Sequence, residues 1–244
     1  MRALLAALLL TTTAAAAPVC GTRELGTVDV AAVRDDGTML TGDGRELRLA
    51  GIEAGPGART ALIGRAQGRR LRLTGDGDST DRYGRLVAFA TVTDASETLQ
   101  EDFLATGAAR VSARAGGPAC ADHLLAVERQ ARAARRGLWA DPNFVPLQAE
   151  LAASLAARRG EFVLVEGTVL SVREVGGTIY VNFGRRWTRD FTLTIPRRLR
   201  NGFAAAGRDP RRLASRRLRV RGWLERRGGP VIEATAPEQI EIID

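Results

Sequence analysis

RELRLAGIEAGPGARTALIGRAQGRR, residues 45–70, changes its period half-way. Through Ile52 the apolar positions alternate with charged ones, the pattern of a half-buried strand. The Gly- and Pro-containing EAGPG then interrupts, and ARTALIGRAQGRR reads as a helix. More strand patterns lie on both sides: TVDVAAV and TMLTGD before, RRLRLTG and RLVAFATVT after, punctuated by DDG, GDG and GDGD turns. LQEDFLATG and ADHLLAVERQARAARRGLW follow as helices. In the second of these, Leu124, Val127, Ala131 and Leu138 share a face at spacings of three, four and seven. The order is three strands, a helix, two strands, two helices.

DPNFVP (141–146) breaks this plan, and LQAELAASLAARRG predicts a connecting helix stopped at Gly160. Beyond it the plan returns: FVLVEGTVLSVRE, TIYVNFG, RDFTLTI, a helical segment around LRNGFAAAG, RRLRVRGWLE, GPVIEATAP and QIEII. Three strands, a helix and two strands is the order of an OB-fold, a small Greek-key barrel. The expected fold is mainly β with helices (α+β): two OB-type barrels in tandem, the first with added helices. The expected division is a signal peptide at 1–17, a first domain at 18–140, a linker helix at 141–160 and an arginine-rich second domain at 161–244.

MRALLAALLLTTTAAAAP reads as an export signal, with one Arg, an apolar run from Ala3 to Leu10 and small residues before a cleavage point near Ala16. The alternative is a retained interfacial helix. The run is too short to cross a bilayer, so no membrane anchor is expected after cleavage, and the location is secreted or periplasmic. In that setting the two cysteines, Cys20 and Cys120, are expected to be bridged. The net charge of +8 is carried by arginine alone, without lysine. Its distribution is uneven. Residues 21–160 hold 19 Arg against 18 acids, whereas 185–227 hold 15 Arg against Asp190, Asp209 and Glu225. Such a block suggests a phosphate-bearing or otherwise anionic partner, with a solvated surface as the plainer alternative.

RLAGIEA (48–54), DRYGRLVAF (81–89), LQEDFLATGAARV (99–111) and LLAVERQARAARRGLW (124–139), in this order, resemble the staphylococcal nuclease (thermonuclease) family over about residues 25–140. The resemblance implies an OB barrel with added helices and Ca²⁺-dependent hydrolysis of phosphodiesters in DNA and RNA. Arg48 and Arg85 match its two phosphate-clamping arginines, which suit paired hydrogen bonding to phosphate and stabilisation of transition-state charge. Structural alternatives are an ion pair for Arg48 and a turn brace for Arg85.

The departures from the family pattern are specific. Its metal-binding Asp is here Glu53, and the Glu that activates water falls on Pro56. Its second metal-binding Asp falls on Thr38, with Asp36 nearby. Glu53 and Asp36 are thus the carboxylates left for Ca²⁺, which takes six to eight oxygen ligands. No carboxylate lies between Ala54 and Gly75 to act as the base, a loss typically worth about 10²- to 10⁴-fold in rate. Glu46, Asp43 and Asp36 are the replacements to consider. Ala113 and Ala115 stand where the family carries rings that stack on the substrate base.

In TIYVNFGRRWTRDFTLTI (178–195), alternation puts Tyr180 and Asn182 on one face and Ile179, Val181 and Phe183 on the other. Arg185, Arg186, Trp187 and Arg189 cluster in the following turn. Rings that stack on bases and arginines that track the backbone are how OB-folds hold single strands. Phe183, Phe191 and Trp223 are expected in the core, while Trp187 is left open.

A single histidine, His123, excludes histidine-built metal sites and makes a triad implausible, and no G-x-S-x-G, Walker or dinucleotide motif is present. The expected function is binding of nucleic acid or another polyanion by a nuclease-like protein with weakened hydrolysis. The alternatives are an active Ca²⁺-dependent phosphodiesterase and an envelope protein-interaction module.

Overall fold

The computed structural model describes residues 19–76 and 80–243, so the segment read as a signal peptide lies outside the described residues. The first barrel is built from β1 (Arg23–Val33), β2 (Met39–Thr41), β3 (Glu46–Leu49), β5 (Arg70–Gly75) and β6 (Leu86–Val92). The strands close in the order β1-β2-β3-β6-β5. Closure depends on the length of β1, which pairs with β5 through its first half and with β2 through its second, and register shifts at each half bend it. The chain between β3 and β5 holds a short strand, β4 (Ile52–Ala54), and helix α1 (Ala58–Ala66), which buries Leu62 and Ala66. Gly57 precedes that helix at φ 84°, a left-handed conformation that glycine adopts at no steric cost.

Helix α2 (Leu99–Thr106) opens with a capping box between Thr98 and Glu101. After it, β7 (Ala109–Val111) pairs antiparallel with β4, and α3 (Pro118–Ala133) packs on α2. The expected order of elements holds, with β4 and β7 as a small extra sheet. Cys20 and Cys120 form a disulfide 100 residues apart in sequence. On the chain-entropy model, closing a loop of that size contributes roughly 4.7 kcal/mol.

Leu147–Gln148, read from sequence as part of a linker helix, instead form strand β8, and the helix α4 is confined to Ala152–Ala157. The second barrel contains β9 (Phe162–Thr168), β10 (Ser171–Val175), β11 (Thr178–Asn182), β12 (Thr192–Pro196), helix α5 (Arg200–Ala205), β13 (Arg217–Trp223), β14 (Glu225–Arg227), β15 (Gly229–Glu233) and β16 (Ile240–Ile242). Its strands lie in two sheets, β10-β11-β12-β15-β14 and β16-β13-β9-β8. Two bent runs, β9 into β10 and β13 into β14, carry the chain from one sheet to the other. The parallel pair β12·β15 corresponds to β3·β6 of the first barrel, so the two barrels share an OB strand plan.

Each barrel has its own apolar core, the first around Leu47, Leu71, Leu73 and Phe103 and the second around Val165, Val181, Phe191 and Leu193. A third cluster joins them, made of Ala131, Leu138 and Trp139 from one side and Phe162 and Leu164 from the other. Among the described residues no helix is long and apolar enough to cross a membrane.

Candidate nucleic-acid interface

Arg48 and Arg85 belong to neighbouring parallel strands. Arg48 pairs in register with Val87, so Arg48, Val87 and Arg85 project to the same side while Leu47 and Ala88 fill the core. Arg85 is already engaged. Its Nε and Nη2 donate to Asp81 Oδ2 at 2.8 Å, and its Nη1 lies 3.8 Å from Asp36. Asp81 also accepts the backbone N–H groups of Tyr83 and Arg85, so the DRYGR turn is tied by one carboxylate. The turn-brace alternative describes Arg85. Arg48 is exposed and has no carboxylate in ion-pair contact among the described residues.

Asp36 accepts from the Thr38 backbone N–H and hydroxyl, both at 2.9 Å, and these bonds hold its carboxyl below the usual range. Asp36 and Arg48 line a cavity of about 30 Å³, room for water but not for a nucleotide. Glu53 on β4 sits opposite Arg110 on β7. Burial raises the Glu53 carboxyl above its ordinary value, and Arg48 and Arg110 pull against that rise. The other candidate bases are occupied. Glu46 pairs with Arg34 at 2.5 Å, and Asp43 accepts from Arg45 and Thr41.

On the second barrel, Ile179 and Val181 are buried and Tyr180 is exposed, as the alternation predicts. Arg173 of β10 is directly across from Tyr180, and Ser171 is across from Asn182. This face opens into a groove of about 610 Å³ lined by Tyr180, Trp187, Arg173, Arg185, Leu170 and Val175, with Ser171, Asn182 and Gly184 beside them. Trp187 is 67% exposed, and Leu170, Val175 and Tyr180 are exposed as well. The groove carries two guanidinium groups and no carboxylate. Neither Arg173 nor Arg185 is held by an ion pair among the described residues.

Arg186 and Arg189 do not line the groove. The Arg186 backbone N–H donates to Asp190, and Arg189 lies with Asp190 at a separate cleft against α4. Phe183 and Phe191 are core residues, but Trp223 is not. It is 52% exposed and lies edge-on to Phe162 at 5.9 Å. Alternation along β13 explains the difference, because Leu218 and Val220 take the inward positions.

Residues 51–141 match the family model described as staphylococcal nuclease homologue. This interval, which runs from β4 through α3, is similar to staphylococcal nuclease homologues. No curated protein matches the chain. In this nuclease-like barrel the matched interval contains Glu53 and Arg85 and begins after Arg48. The family is Ca²⁺-dependent, but the donor set does not fit that ion. Among the described residues no three carboxylate, histidine or cysteine side chains gather into a metal-holding group. Asp36 is also committed to Thr38 and Arg85, which leaves Glu53 beside two arginines, short of a calcium shell.

The nuclease-like barrel is fastened to the second barrel by a charge network that the sequence reading missed. Arg221 of β13 is fully buried. Its Nη1 donates to Glu128 Oε2 at 2.9 Å and to the Val111 carbonyl at 3.0 Å, and its Nη2 donates to Glu128 Oε1 at 3.0 Å and Glu241 Oε1 at 2.7 Å. Glu128 on α3 also accepts from Val111 N–H at 2.6 Å and Arg132 at 2.9 Å. Arg110 donates to the Phe162 carbonyl at 2.8 Å. The strand that faces Glu53 is thereby pinned by the second barrel. The available signal was RLRVRGW, whose alternation turns Arg219 and Arg221 out of their own core.

Proposed function

We propose that this nuclease-like protein binds single-stranded nucleic acid, with the second-barrel groove as its main contact and Arg48 as a secondary phosphate contact. The observation that carries the reading is the composition of the groove: two exposed rings, two unengaged arginines and no carboxylate. Rings can stack on any unpaired base, and guanidinium groups follow the phosphates. The residues proposed for binding are Tyr180, Trp187, Arg173 and Arg185. Arg186 and Arg189 are at most peripheral. The reading takes residues 18–140 and 161–244 as the two functional units.

Hydrolysis is proposed to be weak. Pro56 stands where the family carries its base, and Asp36, Asp43 and Glu46 are each tied to an arginine or a turn. The disulfide fits an oxidising extracellular or periplasmic compartment, with residues 1–17 proposed as the export signal.

The test is fluorescence anisotropy of a labelled single strand, competed with duplex of the same sequence, across a salt series. Affinity that favours the single strand and falls steeply with salt is the expected result. A flat salt response would instead point to a protein partner, and a preference for duplex would remove the stacking role. Incubating the same strand with Ca²⁺ or with EDTA should leave equal amounts intact.

A further inference from the structure

We infer that the recess beyond the β10–β11 hairpin is a phosphate subsite that extends the groove, so that the ligand is a single strand long enough to cross the hairpin. This rests on reading the groove as a nucleic-acid site. Val175 lines the groove at the end of β10, and Gly177, two residues on, lines a separate recess of about 430 Å³. The other residues of the recess are Arg197, Arg198, Arg200 and Asn201. Every side chain there can donate a hydrogen bond. None is a carboxylate and none is a ring.

The local charge is not cancelled. Glu174 pairs with Arg197 at 2.8 Å and lies 3.6 Å from Arg200, one carboxylate for three guanidinium groups. Arg198 is exposed and has no ion-pair partner among the described residues. At Gly177, φ is +82° and no atom lies within 4 Å of where a Cβ would be, so the backbone approach is open. Such a recess suits the charged backbone rather than a base, while the groove on the other side of the turn supplies the rings. The two sites therefore divide the work of holding one strand.

The experiment uses the full chain and labelled oligothymidylates of increasing length, comparing the wild type with Arg198→Ala/Arg200→Ala and with Trp187→Ala. Arg198 is exposed and Arg200 partly so, and thermal melts check that the fold survives. The shortest oligomers that bind should not distinguish the double variant from the wild type. Longer oligomers should bind it more weakly, with the slope of log K against log salt flatter by roughly 1.4, about 0.7 for each lost single-strand phosphate contact. Equal affinity at every length, or an equal loss at every length, would overturn the subsite. Trp187→Ala should weaken binding at all lengths. If it does not, the groove reading has failed, whereas a length-independent double variant beside a weakened Trp187→Ala fails the subsite alone.

Discussion

The seam between the barrels and the outer face of the second barrel are both built on arginine, and they use it in opposite ways. At the seam, Arg221 is fully buried, and its Nη1 and Nη2 groups donate to Glu128, Glu241 and the Val111 carbonyl. On the outer face, Arg173 and Arg185 flank two exposed rings with no carboxylate in the groove. The difference lies in what the fold brings to each guanidinium. A buried charge must be paired, and so fixes geometry, whereas an exposed unpaired one remains able to meet an anion.

The largest expected effect tests the seam. Arg221→Ala leaves Glu128 buried with Arg132 as its ion-pair partner and the Val111 N–H as its other donor, and is expected to cost about 3–5 kcal/mol of stability, read from denaturant midpoints. A loss below about 1 kcal/mol would mean that the seam is wet and the contrast with the groove is false. Acid tests the same contact. Burial works to raise the Glu128 carboxyl, but Arg221 and Arg132 outweigh it and hold the group below its ordinary value. A depressed carboxylate contributes stability above its unfolded pKa, about 4.3, and loses it as pH falls through the folded value. Fluorescence of Trp139, buried at the seam, should therefore change below about pH 4 and stay constant from pH 5 to 8.

The outer face should respond to salt instead. Arg173→Ala and Arg185→Ala are each expected to flatten the salt dependence of single-strand binding by roughly 0.7 without lowering stability. Arg85→Ala should show the smallest effect. Its part-buried guanidinium is already held by Asp81, so affinity should change less than about twofold. A tenfold loss of affinity would show that Arg85 leaves Asp81 to bind phosphate.

Much of the fold was legible because alternation and turn residues are local. The strand order of both barrels, α3 and the inward set Ile179, Val181 and Phe183 all follow from them. Leu147–Gln148 were misread because their strand exists only through pairing with β9, a contact absent from the local pattern. The excess of arginine over 185–227 was legible as a count but not as a charge. Glu128, Glu166, Glu174, Glu233 and Glu241, all outside that run, engage Arg221, Arg219, Arg197, Arg227 and their neighbours. At the candidate site, Tyr180, Trp187 and Arg185 were found from sequence. Arg173 was missed because it faces Tyr180 only across a strand pair.

The most direct test compares two double variants for binding of one labelled single strand. Base stacking is worth about 1–3 kcal/mol per base, so Tyr180→Ala/Trp187→Ala should weaken binding by roughly fivefold or more for each base it no longer holds. Arg48→Ala/Arg85→Ala should stay within about threefold of the wild type, because Arg85 is held by Asp81 and only Arg48 is open. The opposite ranking, with the ring variant unchanged and the arginine variant crippled, would return the binding site to the nuclease-like barrel and contradict the account.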